Sequence, residues 1–147
     1  MNKDFFITVI CPCYNSSPYL ERLINSLINQ NVKFSEIIFS DDGSTDDTVE
    51  QLEKKKKLFI EKKINFKLIK NQHKGPGYAR NIAIKNSSNK WIAFIDSDDT
   101  WKINKIEIIT KYIIKNPNIN IFLHWEKFIR LNNDIIDLKH GINYNNN

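Results

Sequence analysis

Residues 91–99 read Trp-Ile-Ala-Phe-Ile-Asp-Ser-Asp-Asp, an apolar run followed at once by a cluster of acids. A short apolar segment of this kind reads as a buried strand, here Trp91 to Ile95, that delivers Asp96-Ser97-Asp98-Asp99 at its C-terminal end. The same pattern occurs twice upstream. Phe5 to Cys11 is a β-branched and aromatic run closed by Pro12-Cys13-Tyr14-Asn15, and Glu36 to Ser40 is closed by Asp41-Asp42-Gly43-Ser44. Phe66 to Ile69 adds another strand.

Helices are expected between these strands. Ser16, Ser17 and Pro18 form a helix start, after which Leu20, Leu23, Ile24, Leu27 and Ile28 recur at amphipathic spacing. Thr45, Asp46 and Asp47 open a second helix, which carries Val49, Leu52, Phe59 and Ile60 around Lys54-Lys55-Lys56-Lys57, a solvated face. The turn Gly75-Pro76-Gly77 leads into a third helix, Tyr78 to Lys85, and Lys102 to Lys115 reads as a fourth that Pro117 ends. Ile119 to Leu123 and Lys127 to Leu131 read as later strands, with residues 132–147 as a polar tail after a domain spanning 1–131. Strand and helix in alternation predict an α/β fold with a mostly parallel central sheet flanked by helices. In such sheets ligands bind where the strands end, which is where the three polar clusters stand.

Composition narrows the function classes. The chain has 147 residues, 41% hydrophobic and 27% charged, which suits one globular domain and excludes wholesale disorder. The net charge is +5 at a pI of 9.1, yet of 22 basic residues only Arg22, Arg80 and Arg130 are arginine. Lys, Asn and Ile are abundant together, so coding bias explains much of the excess; no nucleic-acid-reading motif accompanies it, and no nucleic acid partner is expected. The N-terminus does not read as a signal peptide, and no stretch reaches the roughly 18 apolar residues of a membrane span. Cys11 and Cys13 sit two apart, in poor geometry to bridge each other, and read as small buried hydrophobes.

The clusters admit chemistry as well as turns. Asp96 and Asp98 can present both carboxylates to one side of an extended stretch and share a hard divalent cation, Mg²⁺ or Mn²⁺, which would also take oxygens from a substrate phosphate. A calcium loop of the EF-hand type fails, because Trp101 stands where that loop needs Gly. Asp41-Asp42-Gly43-Ser44 is a turn, or a carboxylate placed for a pyrimidine N–H or a ribose hydroxyl. Tyr14 is a rim tyrosine, or a ring on which a base stacks. Arg80 is a surface ion pair, or a fork donor to phosphate.

Order and spacing weigh on these alternatives. ITVICPCYNSSPYLERLINSLINQ (7–30), EIIFSDDGSTDDT (36–48), NQHKGPGYARNIAI (71–84) and WIAFIDSDDTW (91–101) together resemble the N-terminal half of family 2 glycosyltransferases, which have the Rossmann-like nucleotide-sugar-binding fold called GT-A. The likeness covers Phe5 to Ile114 and follows the family's motif order. It implies that Pro12 and Tyr14 line the nucleoside pocket and that Asp41 binds base or ribose. It implies that Asp96-Ser97-Asp98 is the family's Asp-x-Asp motif, with Asp98 the direct metal ligand and Asp96 nearer the ribose and metal-bound water. Ala79-Arg80-Asn81 matches the family's Ala-Arg-Asn, which places Arg80 on the sugar or diphosphate side. Asp42 and Asp99 are adjacent supports. Trp101-Lys102-Ile103 departs from the family, which often has proline soon after the tryptophan.

The resemblance implies transfer of a sugar from a UDP-sugar to a glycan or lipid-linked acceptor, metal-dependent and inverting, in cell-surface polysaccharide assembly. It implies a cytoplasmic protein at the inner face of the membrane, with peripheral membrane contact left open. The family's general base comes from an acceptor-side motif expected beyond Asn147, so the reading is of a truncated chain, and Glu126, Asp134 and Asp137 are not assigned that role. One alternative is a nucleotide-binding fragment that catalyses no transfer. Another, a sugar nucleotidyltransferase, is disfavoured because Cys13-Tyr14-Asn15-Ser16-Ser17 lacks the Gly and Lys or Arg of that class's first loop.

Overall fold

The computed structural model describes residues 6–124 and, as backbone alone, residues 126–129 and 135–138. The chain divides into two compact units, Met1–Thr110 and Lys111–Asn147. In the first, β1 (Ile7–Cys13), α1 (Leu20–Ile28), β2 (Glu36–Asp41), α2 (Thr48–Glu61), β3 (Asn65–Lys70), α3 (Pro76–Lys85) and β4 (Trp91–Phe94) alternate along the chain. α4 (Lys105–Lys115) follows, and the second unit holds an antiparallel pair, β5 (Glu126–Ile129) and β6 (Ile135–Leu138).

The central sheet is wholly parallel, in the order β3-β2-β1-β4. The first two crossovers build outward from β1 to β2 and β3, whereas the third carries the chain back across to the other side of β1. The switch in direction therefore falls between β1 and β4, and the loops leaving these two strands diverge there.

Alternation along β1 sorts the two faces of the sheet. Ile7, Val9, Cys11 and Cys13 point into the larger core, against Leu20, Leu23, Ile24 and Leu27 of α1 and Leu52 and Phe59 of α2. Ile10 faces the other way, with Ile38 and Ala83 of α3. The buried stripe of α1 is the one its spacing predicts, and each of these leucines contributes roughly 2 kcal/mol by leaving water. Phe39, Phe59 and Phe66 meet ring to ring, with centroids 5.6–5.9 Å apart, between α2 and the sheet.

The structure shifts several expected boundaries. β1 continues through Pro12 to Cys13, pairing Pro12 with Ser40 of β2. Proline is tolerated because Ile10 and Pro12 turn their backbone groups toward β4, and that ladder closes with the Ile95 N–H on the Ile10 carbonyl at 3.1 Å. The next rung would need the N–H that Pro12 lacks, so the chain leaves the sheet after Ile95 and a gap opens between the strands. α3 starts at Pro76, proline in its first turn, after Gly75 at φ 91°. α4 starts at Lys105 rather than Lys102.

The strand expected over Ile119 to Leu123 does not form. Those residues have no ladder partner among the described residues, and Ile121 and Leu123 are each 77% exposed. Pairing occurs instead at β5, whose last three residues fall within the expected Lys127 to Leu131, and at β6, which lies within the stretch read as polar tail. Residues 130–131 and the terminal GINYNNN lie outside the described residues. On α2 the lysines pair with acids, Lys54 with Glu50 at 2.6 Å, Lys55 with Glu21 at 2.7 Å and Lys57 with Glu61 at 3.8 Å, as on a solvated helix face. Among the described residues no helix is long and apolar enough to cross a membrane.

Candidate functional site

The polar clusters at the strand ends meet at the carboxyl edge of the sheet, around the gap between β1 and β4. An open cleft of about 410 Å³ lies there. Its walls are Pro12, Cys13 and Tyr14 from the end of β1, Asp42 from the exit of β2, His73 and Arg80 around the start of α3, and Asp96, Ser97 and Asp98 after β4. Of the residues singled out from sequence, Pro12, Tyr14, Arg80, Asp96, Ser97 and Asp98 line the cleft. Asp41 is not among its lining residues.

Asp41 is 2% exposed and turned into its own loop. One carboxylate oxygen accepts the N–H groups of Gly43 and Ser44, both at 3.1 Å, and the other accepts the Ser44 hydroxyl. Gly43 sits at φ 81°, and a Cβ there would approach the His73 nitrogen to 3.1 Å, so the turn needs glycine both for its dihedral and for close passage. It is Asp42 that faces the cleft, and its carboxylate accepts the N–H groups of Lys74 at 2.9 Å and Gly75 at 2.8 Å.

Two seams hold the loops in register. Asn15, in the left-handed region at φ 47°, turns its side-chain oxygen to the Thr45 N–H at 2.8 Å, tying the exit of β1 to that of β2. Ser16 ties three segments together: its N–H donates to the Thr48 hydroxyl at 2.7 Å, and its own hydroxyl accepts the Tyr14 N–H at 3.1 Å and pairs with the Ser97 hydroxyl at 2.7 Å. The acidic loop itself closes as a turn, Asp99 N–H to Asp96 carbonyl at 3.1 Å.

α1 and the residues just after it support the far side of that loop through polar residues spaced four apart. Arg22 donates to the Asp98 carbonyl, the Ser26 hydroxyl accepts the Trp101 N–H at 3.2 Å, and the Gln30 amide bridges the Lys102 carbonyl at 2.9 Å and the Ile106 N–H at 3.1 Å. Sequence reasoning noted only the apolar face of this helix. The signal was present in the i, i+4, i+8 recurrence of Arg22, Ser26 and Gln30 beside the apolar stripe.

Arg80 reaches Asp96 at 2.5 Å, and Asp96 remains 53% exposed. The ion pair and the phosphate-donor readings of Arg80 are therefore compatible: a surface pair is weak and exchangeable, and the fork sits on the cleft wall. Asp96 and Asp98 both line the same wall, and a carboxylate is the donor type that a hard cation prefers. Among the described residues no group of three or more His, Cys, Asp or Glu gathers to hold a metal alone. Two carboxylates fit a Mg²⁺ or Mn²⁺ ion that draws its other oxygens from phosphate and water.

An aromatic pair and the Cys13 thiol complete the cleft wall, with the Cys11 thiol behind it in the core. Tyr14 stacks on His73, ring centroids 4.3 Å apart and planes 27° apart. Cys11 and Cys13 are buried free thiols 3.8 Å apart. Burial, then the neighbouring Cys13 thiol, push the Cys11 thiol well above its ordinary value, which keeps it protonated and unreactive.

Comparison with known proteins follows the same lines. The profile of the family described as Glycosyl transferase family 2 matches residues 8–144. The WfgD protein of Escherichia coli, a UDP-Glc:alpha-D-GlcNAc-diphosphoundecaprenol beta-1,3-glucosyltransferase, is 36% identical over 134 residues, which are 90% of this chain and 50% of that protein. The minor teichoic acid biosynthesis protein GgaA of Bacillus subtilis is 35% identical over 119 residues, 78% of this chain and 26% of its own length. An uncharacterised glycosyltransferase of Rickettsia bellii is 40% identical over 114 residues, 78% of this chain and 16% of its own length. The chain thus spans from about a sixth to a half of these relatives. Among solved structures, S. aureus TarS 1-349 in complex with UDP-GlcNAc superposes with a TM-score of 0.68 at 31% identity, covering 77% of this chain and 32% of that one. The mannosyltransferase PcManGT from Pyrobaculum calidifontis, at 21% identity and a TM-score of 0.66 over 73% of this chain and 32% of that one, shares the fold. With its parallel sheet of GT-A type and its four motifs in order, the chain belongs to glycosyl transferase family 2.

Proposed function

We propose that this chain forms the donor-binding part of a glycosyltransferase that moves a sugar from a UDP-sugar to a glycan or lipid-linked acceptor, in cell-surface polysaccharide assembly, with inversion and with a divalent metal. One observation carries the reading: separate strand exits bring an aromatic ring, an arginine fork and two carboxylates to one cleft at the switch point of a parallel sheet. That set matches the parts of a nucleotide diphosphate sugar in turn. Pro12 and Tyr14 serve the nucleoside, Arg80 the diphosphate, and Asp96 and Ser97 the ribose side. Asp41 acts on base or ribose through the turn it shapes, with Asp42 presented beside it. The relatives that act on a diphosphoundecaprenol-linked sugar or build teichoic acid support the acceptor class.

Departure of a nucleoside diphosphate from the anomeric carbon develops negative charge on the leaving group. Asp98, with Asp96, would hold Mg²⁺ or Mn²⁺, which when bound supplies Lewis-acid stabilisation of that charge. Arg80 adds fixed positive charge on the same side, and the seams through Asn15, Ser16 and α1 hold these groups without rearrangement. Peripheral contact with the inner membrane face follows from the acceptor class and is part of the proposal.

Titration of the chain with UDP, with and without MnCl₂, tests this reading. Saturable binding that requires the metal is expected. A folded chain that shows no metal-dependent binding at millimolar UDP would contradict it.

A further inference from the structure

We propose that His73 is a positioning residue for the nucleoside base: it backs the ring of Tyr14 so that the opposite face of that ring is held as a flat platform for the base. The inference rests on the donor-site reading above and adds a residue that neither the sequence motifs nor the comparisons single out.

The two rings lie 4.3 Å apart, centroid to centroid. A base inserted between them would need close to twice that spacing, so the face of Tyr14 turned away from His73 is the one available for stacking. Tyr14 is 47% exposed, and without a neighbour its ring would be free to swing about its side-chain torsions. A base would then have to bear the cost of ordering it. His73 removes that cost in advance.

His73 is itself fixed from below. Its Nδ1 lies 3.0 Å from the Asp42 carboxylate and 3.0 Å from the Asp42 carbonyl. The Asp42 side chain is only 3% exposed, held by the N–H groups of Lys74 and Gly75. Gly43 passes the His73 backbone nitrogen so closely that a Cβ there would sit only 3.1 Å from it. The chain thus anchors a buried carboxylate and uses it to orient an imidazole that is 61% exposed. An imidazole so exposed adds little to the core, and its stack on Tyr14 is what the arrangement secures.

The test measures binding of two ligands, UDP and inorganic pyrophosphate, each with MnCl₂, to the wild-type chain and to His73→Ala and His73→Phe, with melting temperatures as the folding control. Pyrophosphate shares the diphosphate and has no base. His73→Ala is expected to weaken UDP by about three- to tenfold, the worth of an aromatic pair, and to leave pyrophosphate unchanged. His73→Phe, which keeps a ring against Tyr14, is expected to restore UDP binding to within about twofold of wild type. Equal UDP binding by wild type and His73→Ala would overturn the inference, as would equal weakening of both ligands or failure of the Phe variant to rescue. A wild-type chain that binds pyrophosphate and not UDP would instead overturn the donor-site reading, and this inference with it.

Discussion

Each edge of the central sheet carries a carboxylate paired with a base, and the two pairs could hardly be used more differently. At the amino edge Glu36, its side chain 2% exposed, meets Lys67 at 2.7 Å, the Thr8 hydroxyl at 2.6 Å, the Asn65 amide at 3.0 Å, and the N–H and hydroxyl of Ser88 at 2.9 and 3.0 Å. Asn89 and Ser87 close the cluster from behind, on the Thr8 hydroxyl. At the carboxyl edge Asp96 meets Arg80 and stays 53% exposed beside an open cleft. A carboxylate whose lone pairs are all taken inside the protein fastens strands; one with open valence on a cleft wall is available to a ligand. Burial and partner count, rather than the presence of an ion pair, separate the stability site from the candidate binding site.

The largest expected effect falls at the closed edge. Glu36→Ala leaves the Thr8 hydroxyl, the Asn65 amide and the Ser88 N–H without their acceptor and takes the carboxylate from Lys67, and should lower unfolding free energy by about 3–5 kcal/mol, measured by urea denaturation. UDP affinity per folded molecule should not change. A large loss of binding in a variant that remains folded would erase the division between the edges.

The same residue predicts an acid response. Burial works against ionisation of Glu36, yet Lys67, the Ser88 N–H and the Thr8 and Ser88 hydroxyls outweigh it and hold the carboxyl down from the ordinary 4.5 to about 2. A carboxyl depressed in the folded state contributes stability that is complete above the unfolded value and is lost as pH falls through the folded one. Wild type should therefore lose about 3 kcal/mol more than Glu36→Gln between pH 5 and 2. Parallel pH curves for the two proteins would show that the cluster does not act through this charge.

At the open edge the effects should appear in binding and not in stability. Asp98→Asn should weaken UDP in MnCl₂ by about 100-fold, about 2.7 kcal/mol, with the urea midpoint unchanged. Arg80→Lys keeps the charge and loses the planar fork, and should weaken pyrophosphate by about tenfold. Unchanged affinity in both variants would mean that the exposed carboxylates and fork do no more than a surface pair does.

The two edges were also unequally legible in the sequence. Asp96-Ser97-Asp98 and Asp41-Asp42 stand directly after apolar runs, so strand periodicity alone brought them to one edge, and the parallel order of the sheet follows from the helices between strands. The Glu36 cluster draws on Thr8, Asn65, Lys67, Ser88 and Asn89, polar residues from three stretches that no local pattern unites. The register of β1, β2 and β3, together with the loop between α3 and β4, assembles them. Which aspartate of the pair faces the cleft depends on a turn that engages Asp41 and presents Asp42, a matter of backbone dihedrals at Gly43. The stack of Tyr14 on His73 joins residues from two loops with no shared spacing. The isoleucines at 119 and 121 mimic a strand by alternation, but alternation without a neighbouring ladder makes none.

The most direct test is a crystal of this chain soaked with UDP and MnCl₂, examined for anomalous scattering from the metal. The account predicts a manganese peak within bonding distance of the Asp98 carboxylate, diphosphate oxygens beside Arg80, and the uracil ring on the open face of Tyr14. Manganese and nucleotide bound together at a site away from these residues would contradict it.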